Sequence, residues 1–304
     1  MKKYSNQEIK EFISKPFFNK AVILNKDASW PKISIVTPSY NQAQFLERTI
    51  LSVLNQNYPN LEYIIIDGGS TDGSVEIIKK YEKYLAYWVS EKDKGQSDAI
   101  NKGFQKSTGD ILAWLNSDDT YLSGTLFKVV KAFQENPNAD LIFGNIYHVD
   151  EKDQRIGELR FTKFDFPTLI YEGGNLHQPG SFWTREIYNR VGGIDPKYIF
   201  CMDYDFFCRV GGIGNFIFIR DYLANFRIHK NAKSSMVFHL NIASVEHEEI
   251  RKRYLPKNIS KVYLKYKRIL CQMRRFFFYI LQGDGDYVVK GLIKRLFRRK
   301  TFKK

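Results

Sequence analysis

Asp118 and Asp119 stand side by side near the end of the stretch 109–121, GDILAWLNSDDTY. Adjacent carboxylates repel each other and gain nothing by packing, whereas a hard divalent cation takes oxygen ligands and brings the phosphates of a substrate with it. The same residue types also cap helices and form turns, so the surrounding chain has to decide between the two uses. A second carboxylate pair, Asp203 and Asp205 in FCMDYDFFCRV, sits among Phe, Tyr, Met and Cys. Carboxylates in apolar company are costly unless they are paired, coordinated or chemically employed. Asp205 has a structural use at hand, as a helix cap or as the partner of Arg209 four residues on.

These side chains need elements to hold them. The run 111–115 is apolar without polar alternation, which predicts a strand covered on both faces, and in open α/β sheets ligands collect beyond the carboxyl ends of such strands. Upstream, ISIVT at 33–37 predicts another strand, expected to stop at Pro38 because proline has no donor for a sheet ladder. Phe45, Thr49, Val53 and Leu54 then recur at helical spacing. A second unit follows: a strand at 63–66, an acid at its end (Asp67), Gly68 and Gly69, capping residues at 70–72 and a helix with Val75, Ile78 and Tyr81 inward. A strand at 85–90, a helix from about 97 to 106, and a helix and strand after the acid stretch complete four strand-to-helix repeats in roughly the first 145 residues. That pattern predicts an α/β fold with a mostly parallel central sheet and one shared ligand edge. The segment lacks the lysine of a P-loop and the GxGxxG spacing, which sets aside ATPase and dinucleotide-dehydrogenase readings. Further on the chain predicts a hairpin around 150–154, a strand at 181–183 and an amphipathic helix ended by Gly192 and Gly193.

The 304 residues carry 43% hydrophobic and 15% aromatic side chains, enough for a sizeable core. Their net charge of +14 is localised: residues 261–304 hold 14 Lys and Arg against Asp284 and Asp286, leaving +2 for the other 260 residues. The body is nearly neutral and the tail is basic, which argues against a nucleic-acid-binding body. Cys201, Cys208 and Cys271 form no CxxC pair, so a disulfide framework or structural zinc is not expected and a reducing, cytoplasmic setting is. No apolar stretch has signal-peptide or membrane-spanning character.

Four blocks, TPSYNQ, IIIDGGSTDGS, DKGQSDAINKGF and GDILAWLNSDD, in this order and at these intervals, resemble glycosyltransferase family 2, the inverting enzymes of the GT-A fold, here of the bacterial cell-surface polysaccharide type. The resemblance runs from about residue 31 to 235. It implies that Pro38 and Tyr40 pack the base of a nucleoside diphosphate sugar with Asn41 nearby, and that Asp67 accepts a hydrogen bond from base or ribose. Asp98 and Asn101 fall beside the sugar and phosphates; Asn101 fits the family pattern and Asp98 departs from it. Asn116 replaces the first acid of the Asp-x-Asp motif and, with Ser117, is assigned to the donor, so the cation (Mn²⁺ or Mg²⁺) falls to Asp118, with Asp119 supporting. Gln178 and Trp183 are implied acceptor contacts. Asp203 matches the general base, with Met202 in place of the usual Glu before it. His229, in the late Arg-x-His segment, is implied to reach the cation or pyrophosphate, and Arg227 and Lys230 to neutralise the leaving phosphates. UDP is the expected nucleotide, with GDP and dTDP open, and the acceptor is a glycan or lipid-linked hydroxyl. A nucleotidyltransferase shares this architecture and its acidic metal site.

The resulting organisation is a lead-in at 1–30, a GT-A domain at 31–240 with a donor half (31–120) and an acceptor half (121–240), and a tail at 241–304. In that tail Val262, Tyr266, Ile269, Met273, Phe276, Phe277 and Ile280 share one helical face, with Lys261, Lys265, Arg268 and Arg275 on the other; a second stripe runs through Val288, Val289, Leu292, Ile293 and Leu296. Basic amphipathic helices with aromatic apolar faces lie on anionic membrane surfaces. The tail is therefore expected to hold the protein at the cytoplasmic face of a membrane. Docking on the body, or on a partner or RNA, are the other uses of such helices.

Overall fold

The computed structural model describes residues 27–174, 176–233 and 237–291. Its centre is one sheet with strand order β3-β2-β1-β4-β8-β6-β9-β5, and β7 added to β6. Strands β1 (Ile33–Ser39), β2 (Leu61–Asp67), β3 (Tyr87–Ser90) and β4 (Ile111–Trp114) are mutually parallel. They alternate with helices α1 (Ala43–Leu54), α2 (Ser74–Tyr81) and α3 (Gln96–Lys106). Every residue of β1 and β4 is buried, which is why these strands read as unbroken apolar runs.

Strand β1 runs two residues past the expected stop at Thr37. The ladder to β4 ends at the Val36–Trp114 pair, while that to β2 continues to Ser39–Asp67. Val36 accepts from Leu115 on the β4 side and Ser39 accepts from Gly68 on the β2 side. Because residues alternate, Pro38 faces the side where β4 has already ended, so its missing N–H costs no ladder bond.

Beyond β4 the sheet is mixed rather than mostly parallel. The short β5 (Thr120–Tyr121), helix α4 (Thr125–Glu135), β6 (Leu141–Val149), β7 (Arg155–Leu159), α5 (Phe166–Glu172), β8 (Ser181–Thr184), α6 (Arg185–Arg190), α7 (Met202–Gly211) and β9 (Phe216–Arg227) follow in order. Strand β8 inserts antiparallel between β4 and β6, and β6–β7 and β5–β9 are also antiparallel, against one parallel pair, β6–β9. The β6–β7 turn is the expected hairpin: the Asp150 carboxylate accepts from the amides of Lys152 (2.8 Å) and Gln154 (2.9 Å). Hairpins make neighbours antiparallel, whereas only crossover helices keep them parallel.

Two long helices follow, α8 (Val237–Lys252) and α9 (Lys261–Leu281), and the described chain ends in helix at 285–291. Helix α9 docks on the body. Arg274 pairs with Asp165 (2.5 Å), Arg275 with Glu172 (2.7 Å), and Arg268 donates to the Tyr171 carbonyl (3.1 Å), with Cys271 buried among them. After it, Asp284 receives both Arg160 (3.0 Å) and Arg220 (3.2 Å). The 261–281 segment is thus part of the folded body rather than a free tail. Most of the lead-in and the end of the second apolar stripe, from Leu292 on, lie outside the described residues.

Candidate active site

The acid loop is built by its neighbours. Thr49 Oγ1, on α1, donates toward the carbonyls of Ser117 (2.9 Å) and Asp119 (2.7 Å), which pins the loop under that helix. The two aspartates then part company. Asp118 turns to His229, with Oδ2 and Nε2 3.0 Å apart, and the imidazole rests on the Phe45 ring (4.7 Å between centroids). Asp119 turns inward: its Oδ1 accepts from the Arg227 amide (2.9 Å) and its buried Oδ2 makes no hydrogen bond. Burial pushes the Asp119 carboxyl well above the ordinary carboxylate range, and the adjoining charge of Asp118 adds to the shift.

Arg227 is the residue that fixes this geometry. Fully buried, it donates to the Asp118 carbonyl (2.8 Å) and the Asp150 carbonyl (2.8 Å), and pairs with Asp153 (2.5 Å). Its guanidinium also lies over Phe45. With these partners it is a positioning residue, not the counter-ion for leaving phosphates that the resemblance implied.

A chain of side-chain hydrogen bonds leads from the acid loop toward the second carboxylate pair. Asn116 accepts from Gln96 Nε2 (2.8 Å) and donates to Gln178 Oε1 (3.3 Å), and Gln178 in turn donates to the Trp114 carbonyl. Lys233 Nζ donates to Gln96 Oε1 (3.1 Å) and to the Ile199 carbonyl. The positive charge of Lys233 also bears on Asp203. Burial raises the Asp203 carboxyl above the ordinary range, while the Tyr204 amide (2.8 Å) and Lys233 pull it back down. Its helix is held from outside by α8: the Glu246 carboxylate accepts from the amides of Ile199, Phe200 and Cys201, each at 2.9 Å. Asp205, wholly buried, takes Arg209 (2.8 Å to Nε) and Arg253.

Asp203 opens onto a cavity of about 1380 Å³. A smaller cleft of about 570 Å³, in the β6–β7 hairpin region, contains His229. Ile228 lines both, so His229, the partner of Asp118, and the carboxylate of Asp203 face spaces that share one wall residue.

The Glycosyl transferase family 2 profile matches residues 34–192, just over half the chain. The chain belongs to glycosyltransferase family 2. Among its relatives, an uncharacterized glycosyltransferase of Nostoc sp. is 30% identical over 212 residues, 65% of this chain and 65% of that protein. Among solved structures, S. aureus TarS 1–349 in complex with UDP-GlcNAc superposes with a TM-score of 0.60 at 15% identity, covering 81% of this chain and 73% of TarS. The mannosyltransferase PcManGT from Pyrobaculum calidifontis in complex with GDP-Man and Mn²⁺ gives 0.58 at 18% identity, covering 95% and 86%. These two likenesses are of fold, the GT-A fold.

Within this family 2 site, several residues singled out from the sequence are occupied by the protein itself. Asp67 accepts from the amides of Gly69 (3.1 Å) and Ser70 (2.8 Å) and from the hydroxyls of Ser70 (2.5 Å) and Ser90 (2.7 Å), so its buried carboxylate organises a turn and is not turned to a base. Asn101 ties α3 to the 188–194 segment through the Ile194 carbonyl (2.8 Å), the Ile194 amide (3.2 Å) and Tyr188 (3.1 Å). Asp98, in the first turn of α3, accepts from the Lys94 amide (3.0 Å) and neighbours Lys102. Asn41, at φ 50°, accepts from the Thr71 amide (2.9 Å) and locks the first two loops together. Trp183 is fully buried among Trp114 and Phe206 and offers no surface to an acceptor. Gln178 is buried too and orients Asn116; Ser117, buried, serves through its carbonyl. Asp119 points into the protein interior, away from the Asp118–His229 pair, and among the described residues no group of three or more His, Cys, Asp and Glu side chains could hold a metal.

Tyr40 stays available, 62% exposed beside Pro38. Gly68 lets it approach Asp93: a Cβ at Gly68 would lie 2.7 Å from Asp93 Oδ2 and 3.3 Å from the Tyr40 ring. Asp93, Gln96, Lys233 and His177 are the residues that sequence reading missed. The first two stand within the quoted block DKGQSDAINKGF, whose pattern drew attention to Asp98 instead. His177, one place before Gln178, lines the cavity of Asp203, and burial with the nearby charge of His148 pushes its imidazole down to about 4, so it is neutral there.

Proposed function

We propose that this chain transfers a sugar from a nucleoside diphosphate sugar, expected to be UDP-linked, to an acceptor hydroxyl by a single displacement that inverts the anomeric centre. The observation that carries this reading is the common wall: Ile228 separates and borders both the cleft of His229, bonded to Asp118, and the cavity onto which Asp203 opens. In this account residues 31–120 supply the donor half and 121–240 the acceptor half, with His229 and Lys233 returning from the second half to the first.

Tyr40, exposed and flanked by Asp93, is the platform for the base. Asp118 and His229 suit a divalent cation: an oxygen and a nitrogen donor lie 3.0 Å apart, and a cation bound by few protein groups completes its shell with substrate phosphates. Bound there, Mn²⁺ or Mg²⁺ supplies charge to the departing diphosphate. Lys233, between Gln96 and Asp203, supplies a second positive charge on the same path. Asp203 takes the proton from the acceptor hydroxyl as that oxygen attacks the face opposite the diphosphate. Its raised affinity for a proton fits that task, since a base is most effective when its pKa nears the working pH. Neutral His177, in the same cavity, can accept from or donate to an acceptor hydroxyl without competing for the charge.

A panel of UDP-, GDP- and dTDP-sugars, with and without Mn²⁺, scored for release of nucleoside diphosphate, tests this. At least one donor is expected to release diphosphate in a Mn²⁺- or Mg²⁺-dependent way, and Asp118→Asn to weaken that dependence. Release of pyrophosphate instead would make the protein a nucleotidyltransferase. Among the described residues no helix is long and apolar enough to cross a membrane.

A further inference from the structure

Helix α9 turns a mixed face to the body, with Cys271 buried and Leu264 and Phe278 half-buried. Arg268, Arg274 and Arg275 reach α5 and its cap from the rim of that face. The apolar stripe faces out, with Val262 at 79% exposure, Tyr266 at 54%, Met273 at 52%, Phe276 at 44% and Phe277 at 57%. An exposed contiguous apolar surface costs free energy in water unless something covers it. Met273, Phe276 and Phe277 belong both to this outward stripe and to the wall of the cavity that holds Asp203, whose inner lining includes Leu169, Leu176 and Phe207. At about 1380 Å³ that cavity exceeds the roughly 300–1,000 Å³ of an ordinary small-ligand pocket. One sugar ring does not fill it.

We infer that the acceptor is an amphiphile whose apolar chain lies over Met273, Phe276 and Phe277, the end of the outward stripe of α9 that walls the cavity, while its hydroxyl-bearing head enters the cavity beside Asp203. The continuity of this end of the stripe with the cavity wall commits it to substrate. A glycan acceptor has no use for Met273, Phe276 and Phe277, and a planar bilayer has none for an apolar wall that turns inward toward a carboxylate. The inference rests on the glycosyltransferase reading for the identity of the head group, and it deepens that reading by naming the class of acceptor.

The test is calorimetric titration of the full chain, without donor, using maltose, maltoheptaose and submicellar n-dodecyl-β-maltoside as probes. Dodecyl maltoside is expected to bind at least about tenfold more tightly than maltose, a modest gain for a buried alkyl chain at about 0.8 kcal/mol per methylene. Phe276→Ser with Phe277→Ser, or Met273→Ser alone, should remove most of that gain, and Val262→Ser, at the far end of the stripe, little of it. These positions are exposed, and circular dichroism verifies the fold of each variant. Equal affinity for maltose and dodecyl maltoside would overturn the inference, as would a preference for maltoheptaose. Equal losses in Val262→Ser and the cavity variants would overturn it in favour of a bilayer-docking face. Because no donor is present, a failure of the glycosyltransferase reading shows in the nucleotide-sugar panel and not in this titration.

Discussion

The two carboxylate pairs, Asp118 with Asp119 and Asp203 with Asp205, repeat one arrangement in two parts of the molecule. In each, the second aspartate is buried against arginine, while the first lies toward a cavity: Asp203 lines one directly, and Asp118 is bonded to His229, which lines the other. They differ in how the buried partner is met. Asp205 receives two guanidinium groups, from Arg209 and Arg253, and so welds α7 to α8. Asp119 receives the Arg227 backbone amide but no direct guanidinium bond, because that guanidinium is committed to two carbonyls and Asp153 and acts on it only through its charge. A buried carboxylate without a cation on it moves toward its neutral form, and this is the direction Asp119 takes. Four acids of one type thus divide in their surroundings: Asp119 and Asp205 are locked into the interior, and Asp118 and Asp203 are left for the chemistry proposed above.

The most severe break in that division is at Asp203. Asp203→Asn is expected to lower kcat by about 10²–10⁴-fold, the usual contribution of a positioned base, with nucleoside diphosphate binding by calorimetry unchanged. A variant with full turnover would return Asp203 to the supporting class. Next comes Asp205→Asn, which leaves two arginines facing a neutral amide. A stability loss of about 2–3 kcal/mol is expected in urea denaturation, below the ~3–5 of a fully buried pair because Arg253 is 40% exposed.

Smaller effects sharpen the contrast. The Lys233 charge favours the carboxylate form of Asp203, so Lys233→Met raises the affinity of Asp203 for its proton and the base is lost at higher pH. The acid limb of the kcat profile should therefore move up, and a downward or absent shift would disconnect the two residues. Asp119→Asn should be the mildest, within about 1 kcal/mol of the parent in stability, since the amide keeps an acceptor for the Arg227 N–H. Its response to Mn²⁺ should be unchanged; loss of that response would make Asp119 a ligand after all.

Much of this was readable in the chain. Buried parallel strands write themselves as unbroken apolar runs, so β1, β2 and β4 and the ligand edge at their ends were evident. The ordered motifs singled out Asp118 and His229, which the fold brings within 3.0 Å, and Asp203, which lines the larger cavity. The missing part is a matter of tertiary partners. Asp67 and Asn101 are polar residues at a ligand edge, and only the fold reveals that Ser90 and Ile194, distant in sequence, already use them. The parallel pattern was carried too far because β8 inserts antiparallel between β4 and β6, strands far from it in sequence, and such long-range pairing leaves no local signature. His177 and Gln178 are adjacent, and which of them faces the cavity depends on the 3₁₀ turn at Gln178–Gly180. In α9, periodicity established the stripe, but the acids that draw its arginines inward, Asp165 and Glu172, lie about a hundred residues upstream.

The central claim is a single displacement in which Asp203 activates the acceptor and the enzyme never bonds to the sugar. Proton NMR of the product formed early in the reaction reads it directly. The account expects the anomeric configuration opposite to that of the donor; a first-formed product with the donor's configuration retained would require a nucleophile on the protein and would contradict it.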